Sequence, residues 1–137
     1  MSLKCPFAAP LTTGRFACHH AQEVVRRGGS EYDCRSQADH GLCTALFAGL
    51  KAQALPAFGV EDDLTTMPHS VGVKVQSGGL LGLRRLLEER PAGGEIDDIA
   101  SLVGRVMERF GSPDGVPYAE IEGDMTAFRL ERRSGRR

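Results

Sequence analysis

The chain has 137 residues, 41% of them hydrophobic and 26% charged, the size and balance of one ordinary globular domain, which excludes wholesale disorder. Its 17 basic and 18 acidic side chains leave a net charge of −1, so there is no general attraction to nucleic acid. There is no run of 18 apolar residues, so no membrane partner is expected, and without Trp the chain offers little for stacking on bases.

The opening Met1 to Pro10 carries one lysine and is broken by Pro6 and Pro10. That is not the pattern of a secretory signal. A cytoplasmic, reducing location is therefore expected, where clustered cysteines bind metal or do redox chemistry more often than they form disulfides. The expected organisation is a single domain over 1–137. It comprises a Cys-rich part (1–55), an α+β scaffold (56–131) and a basic tail (132–137) with four arginines.

In chain order, residues 1–43 read as irregular chain with one short helix over 17–27. There Ala21, Val24 and Val25 fall at helical spacing and Gly28-Gly29 is a stop signal. A second helix is expected from Gly41 to about Leu55, with Leu42, Ala45, Leu46 and Leu50 along one face and Pro56 ending it. It places Cys43 in the first turn, where the helix dipole favours a thiolate. Residues 57–68 read as a loop with an acidic patch, Glu61-Asp62-Asp63, that has no further oxygen-ligand pattern around it. From Ser70 to Gln76, Val71, Val73 and Val75 alternate with Gly72 and Lys74, the period of a strand.

Ser77-Gly78-Gly79 then reads as a turn into a helix from Leu80 to Arg90. Exposed amides there, with Arg84 and Arg85 following, are a weak candidate for anion binding. The clearest helix runs through Ile96, Ile99, Ala100, Val103, Val106, Met107 and Phe110, with Asp97-Asp98 as an acidic start and Gly111 as a stop. Strands over Pro117–Glu122 and Met125–Arg132, joined by Gly123-Asp124, suit a tight hairpin. The expected class is α+β: a Cys-rich helical segment, then a small antiparallel sheet (strand, two helices, hairpin) packed against helices.

The chemistry lies in the cysteines. Cys5, Cys18, Cys34 and Cys43 are separated by 12, 15 and 8 residues, and no other cysteine is present. A tetrahedral zinc site usually takes two tight Cys-x2–4-Cys knuckles, because all four sulfurs must lie about 2.3 Å from one atom. The chain has none. A [4Fe–4S] cluster binds each cysteine to a separate iron, so its ligands can arrive from scattered loops, and the spread favours it over zinc. Pro6 after Cys5 is similar to the proline that follows a cluster cysteine in bacterial ferredoxins. The compact Cys-x2-Cys-x2-Cys run is absent, and no family is identified.

Histidines leave alternatives open. His40-x2-Cys43 is half of a possible zinc site completed by Cys34 and either Cys5 or Cys18, and His19 or His40 can replace a cysteine or stand behind one as a second donor. Four thiolates leave no open iron, which points to one-electron transfer or redox sensing with a redox protein partner rather than to catalysis. The competing readings are a zinc-stapled or cluster-sensing regulator that touches nucleic acid through the tail, and an enzyme with its site at Ser77–Gly82 or near His69.

Overall fold

The computed structural model describes residues 3–12, 16–26, 29–59, 69–87 and 96–128. A single turn, α1 (Ala8–Leu11), precedes an antiparallel hairpin of β1 (Ala21–Arg26) and β2 (Gly29–Cys34). Three longer helices follow: α2 (Gln37–Ala57), α3 (His69–Leu86) and α4 (Ile99–Phe110). Two 3-10 turns, Pro113–Gly115 and Tyr118–Ile121, lead into the short α5 (Glu122–Ala127). The described chain is mostly helical with one two-stranded sheet, which is an α+β composition.

The arrangement reverses the expected one: the sheet lies in the Cys-rich part and the rest of the described chain is helical. Residues 21–26 are a strand, not the middle of a helix. Two adjacent β-branched valines suit a pleated ribbon, and Gly29, one of the two glycines that resembled a helix stop, opens β2 opposite Arg26. Residues 70–76 are helix, not strand. Alternation of Val71, Val73 and Val75 contains the i, i+4 pair Val71 and Val75, and Val75 is fully buried in the core that Val71 packs against.

Nor is there a turn at Ser77-Gly78-Gly79. α3 runs straight through it, and the glycines mark close packing: a Cβ on Gly78 would stand 2.5 Å from the Asp124 carbonyl oxygen and 2.7 Å from Met125 Cα. A Cβ on Gly82 would lie 2.7 Å from Ile121 Cβ. The amides expected to bind an anion are inside a helix and are spent there. The predicted C-terminal hairpin is a 3-10 turn and α5 over its described part; Ile121 and Met125, four residues apart, are both fully buried. Arg85 of α3 donates to both Asp124 oxygens, at 2.7 and 3.0 Å.

α2 and α4 match their expected apolar spacing. α2 starts four residues earlier, at Gln37, where Ser36 Oγ accepts from the Asp39 amide at 3.2 Å. It carries Pro56 in its last turn and is followed by Phe58 at its C-cap. α4 ends on Gly111 at φ 86°, a conformation that glycine adopts without strain. Leu46, Leu50, Leu80, Leu83, Ile99, Leu102, Val106 and Met125 join α2, α3, α4 and α5 in one buried core. Phe7 and Phe16 attach the N-terminal segment to it.

The acidic patch at 61–63, the side chain of His69 and the basic tail at 132–137 lie outside the described residues. Among the described residues, no helix is long and apolar enough to cross a membrane.

Candidate metal centre

The four cysteines come from four pieces of chain. Residues 3–5 run alongside β2 as a short antiparallel extension of the hairpin: the Cys34 amide donates to Leu3 O at 2.7 Å and the Cys5 amide to Tyr32 O at 3.0 Å. That pairing brings Cys5 to the base of the hairpin. Cys18 occupies the turn leading into β1, with its carbonyl accepting from Ala21 N–H at 3.0 Å, and Ala21 is the register partner of Cys34. Cys43 comes from α2. Ile99 and Ala100, at the start of α4, complete the wall.

Cys5, Cys18, Cys34 and Cys43 line a single hollow together with Pro6, Ala21, Asp39 and His40. Three of the thiols are half-buried and Cys43 is buried; all four are free of disulfides. The free space in the hollow is about 10 Å³, roughly one water molecule. Among the described residues, no three His, Cys, Asp or Glu side chains are grouped as ligands of a metal ion.

The electrostatics couple the four thiols to one another. Burial pushes Cys5 up to about 11; the Phe7 amide, donating to its sulfur, opposes this, while Cys18 and Cys34 add to it. Burial also raises Cys18, against hydrogen bonds from the His20 and Ala100 amides, with Asp98 and Cys34 contributing further. Cys43 is pushed up most, first by burial and then by Cys5, Cys18, Cys34 and Asp39. Every pair among the four thiols thus repels when ionised, the condition in which a cation between them is most favoured. Cys34 Sγ donates to Ser36 O at 3.2 Å.

The expected dipole effect at Cys43 is absent because α2 begins at Gln37, which places Cys43 beyond the first turn. Of the histidines, His40 Nε2 is engaged with the Lys4 carbonyl at 3.0 Å, so that nitrogen is a donor and not a ligand. His19 Nδ1 pairs with Asp98 Oδ2 at 2.7 Å and His20 Nε2 with Asp39 Oδ2 at 2.8 Å. The dipeptide after Cys18 is thereby fastened to α4 on one side and to α2 on the other. Arg35 adds a third tie, to β2: its amide donates to His20 O and its Nη2 to His19 O, both at 2.9 Å.

Sequence reading gives Asp98 only as part of an acidic helix start and passes over Asp39 and the amides of Phe7, His20 and Ala100. Ser36 three residues before Asp39 is a visible helix-start signal. The partner of Asp98 lies 79 positions away, and no local pattern carries that information. No family model matches the chain, and neither a curated protein nor a solved structure shows significant similarity to it.

Proposed function

We propose that this chain is a small iron–sulfur protein. Cys5, Cys18, Cys34 and Cys43 would hold a [4Fe–4S] cluster for one-electron transfer to a redox protein, or for redox sensing. One observation carries the reading: thiols separated by 12, 15 and 8 residues line one hollow. A single zinc ion would need the four sulfurs about 3.8 Å from one another, the edge of a tetrahedron with 2.3 Å bonds. The chain has no Cys-x2–4-Cys knuckle to draw them that close, whereas a cluster spreads its ligands over four irons.

The surroundings suit sulfur-bound iron. The Phe7 amide donates to Cys5 Sγ, and the His20 and Ala100 amides to Cys18 Sγ; such donors withdraw charge from thiolates and set a cluster's potential. Pro6, Ala21, Ile99 and Ala100 provide apolar wall, which limits the access of water. When bound, the cluster supplies a reversible one-electron couple, and the protein holds the four thiolates and shields them.

The test is an anaerobic preparation analysed for iron, acid-labile sulfide and zinc per chain, with its visible spectrum. About four irons and four sulfides are expected, and Cys→Ala at each of the four positions lowers iron retention. A colourless protein with one zinc per chain refutes the reading, as does failure to take up iron and sulfide on reconstitution.

A further inference from the structure

Asp98 stands at the N-cap position of α4 but makes none of the side-chain cap hydrogen bonds usual for Asp there. Its carboxylate is turned instead to the turn that carries Cys18. Oδ1 accepts from the His19 amide at 2.9 Å and Oδ2 from His19 Nδ1 at 2.7 Å. Two backbone bonds complete the junction: Ala17 N–H to Ile96 O at 3.0 Å and Ile99 N–H to Ala17 O at 2.7 Å. Beside this junction Cys18 and Ala100 line the hollow together, and hydrogen bonding from the His20 and Ala100 amides works against the effect of burial on the Cys18 thiol.

Asp98 thus sits at the junction of the Cys18 turn and the start of α4. Asp97, the neighbouring carboxylate, is exposed.

We infer that Asp98 is a positioning residue for the cluster: by accepting from both the amide and Nδ1 of His19, it holds the Cys18 turn in place against the start of α4. This inference rests on the iron–sulfur reading and gives Asp98 a role distinct from the ligands. A carboxylate that orients a ligand in this way commonly changes metal retention by tenfold or more when removed.

The test uses the cluster-loaded chain and four variants: Asp98→Ala, Asp98→Asn, His19→Ala and, as a control, Asp97→Ala. Cluster loss to an iron chelator and the Fe–S(Cys) vibrational bands are followed for each. Asp98→Ala is expected to lose its cluster at least about tenfold faster than wild type, with shifted Fe–S(Cys) bands. Asp98→Asn keeps an oxygen to accept from the His19 amide and should return to within about threefold. His19→Ala removes one of the two bonds from a side chain that is 61% exposed, and its rate should fall between the two. Asp97→Ala should match wild type.

Rates within twofold of wild type for both Asp98→Ala and His19→Ala overturn the role of Asp98, as does an Asp98→Asn rate equal to that of Asp98→Ala. A wild-type chain that loads no iron and sulfide refutes the cluster reading itself, which keeps the two failures apart.

Discussion

Metal-free Cys5 should react with iodoacetamide at pH 8 about a hundredfold more slowly in the folded chain than in the chain unfolded by urea. The thiolate is the attacking species. Burial, reinforced by Cys18 and Cys34 and opposed by the Phe7 amide, moves the ionisation of this thiol from 9.0 to about 11. At a pH below both values each unit removes about a factor of ten in thiolate, so two units give about a hundredfold. Alkylation would be timed by mass analysis of the peptide carrying Cys5, between pH 8 and 11.

The pH profile separates ionisation from simple shielding. In the unfolded chain the rate levels off above about pH 9, whereas in the folded chain it should go on rising towards pH 11. A folded-state profile that levels off near pH 9, or a rate at pH 8 equal to that of unfolded chain, would refute the argument. Cys43, more deeply buried and facing all three other thiols, should be the slower of the two. The sign for stability follows from the same shift. The folded chain holds the Cys5 proton more tightly, so this contribution is complete below pH 9 and is lost as pH rises through 11. Bound metal requires these thiols deprotonated, so iron loading releases protons and is favoured by raising the pH within the stable range.

Two further outcomes concern the scaffold. Gly78→Ala should destabilise the chain by about 1–3 kcal/mol, because its Cβ would meet the backbone of α5, which cannot swing aside as a side chain can. Gly104→Ala in α4, where nothing lies within 4 Å, should instead stabilise by about 0.5–1 kcal/mol through helix propensity; urea melts of the two variants should shift in opposite directions. Ser36→Ala removes the cap on the helix that bears Cys43 and should cost about 1 kcal/mol in the same melts.

Where sequence reading succeeded and failed has a physical pattern. α2 and α4 were legible because long stretches repeat apolar residues at three and four, which only a helix can bury on one side. The errors fall on short segments where two periods coincide. Ala21, Val24 and Val25 satisfy a helical spacing yet lie on a hairpin strand, and Val71, Val73 and Val75 satisfy a strand's alternation yet lie on a helix. Gly78 and Gly79 read as punctuation because a glycine that breaks a helix and one that admits a neighbour look the same in sequence. What distinguishes them is what packs there: the backbone of Asp124 and Met125 against Gly78, and the Leu50 side chain against Gly79.

The sequence by itself determined the inventory of the candidate centre: four cysteines in the first 43 residues, at intervals too wide for zinc knuckles. It also carried the two helices whose faces build the core. The tertiary structure alone decided that Cys5, Cys18, Cys34 and Cys43 share one hollow, that His19, His20 and His40 are fastened to Asp98, Asp39 and the Lys4 carbonyl, and that α4 presents an amide to Cys18. Composition and spacing name the groups able to bind a metal. Whether those groups meet depends on contacts about 80 residues apart, set by hairpin pairing and helix packing that no local stretch of chain encodes.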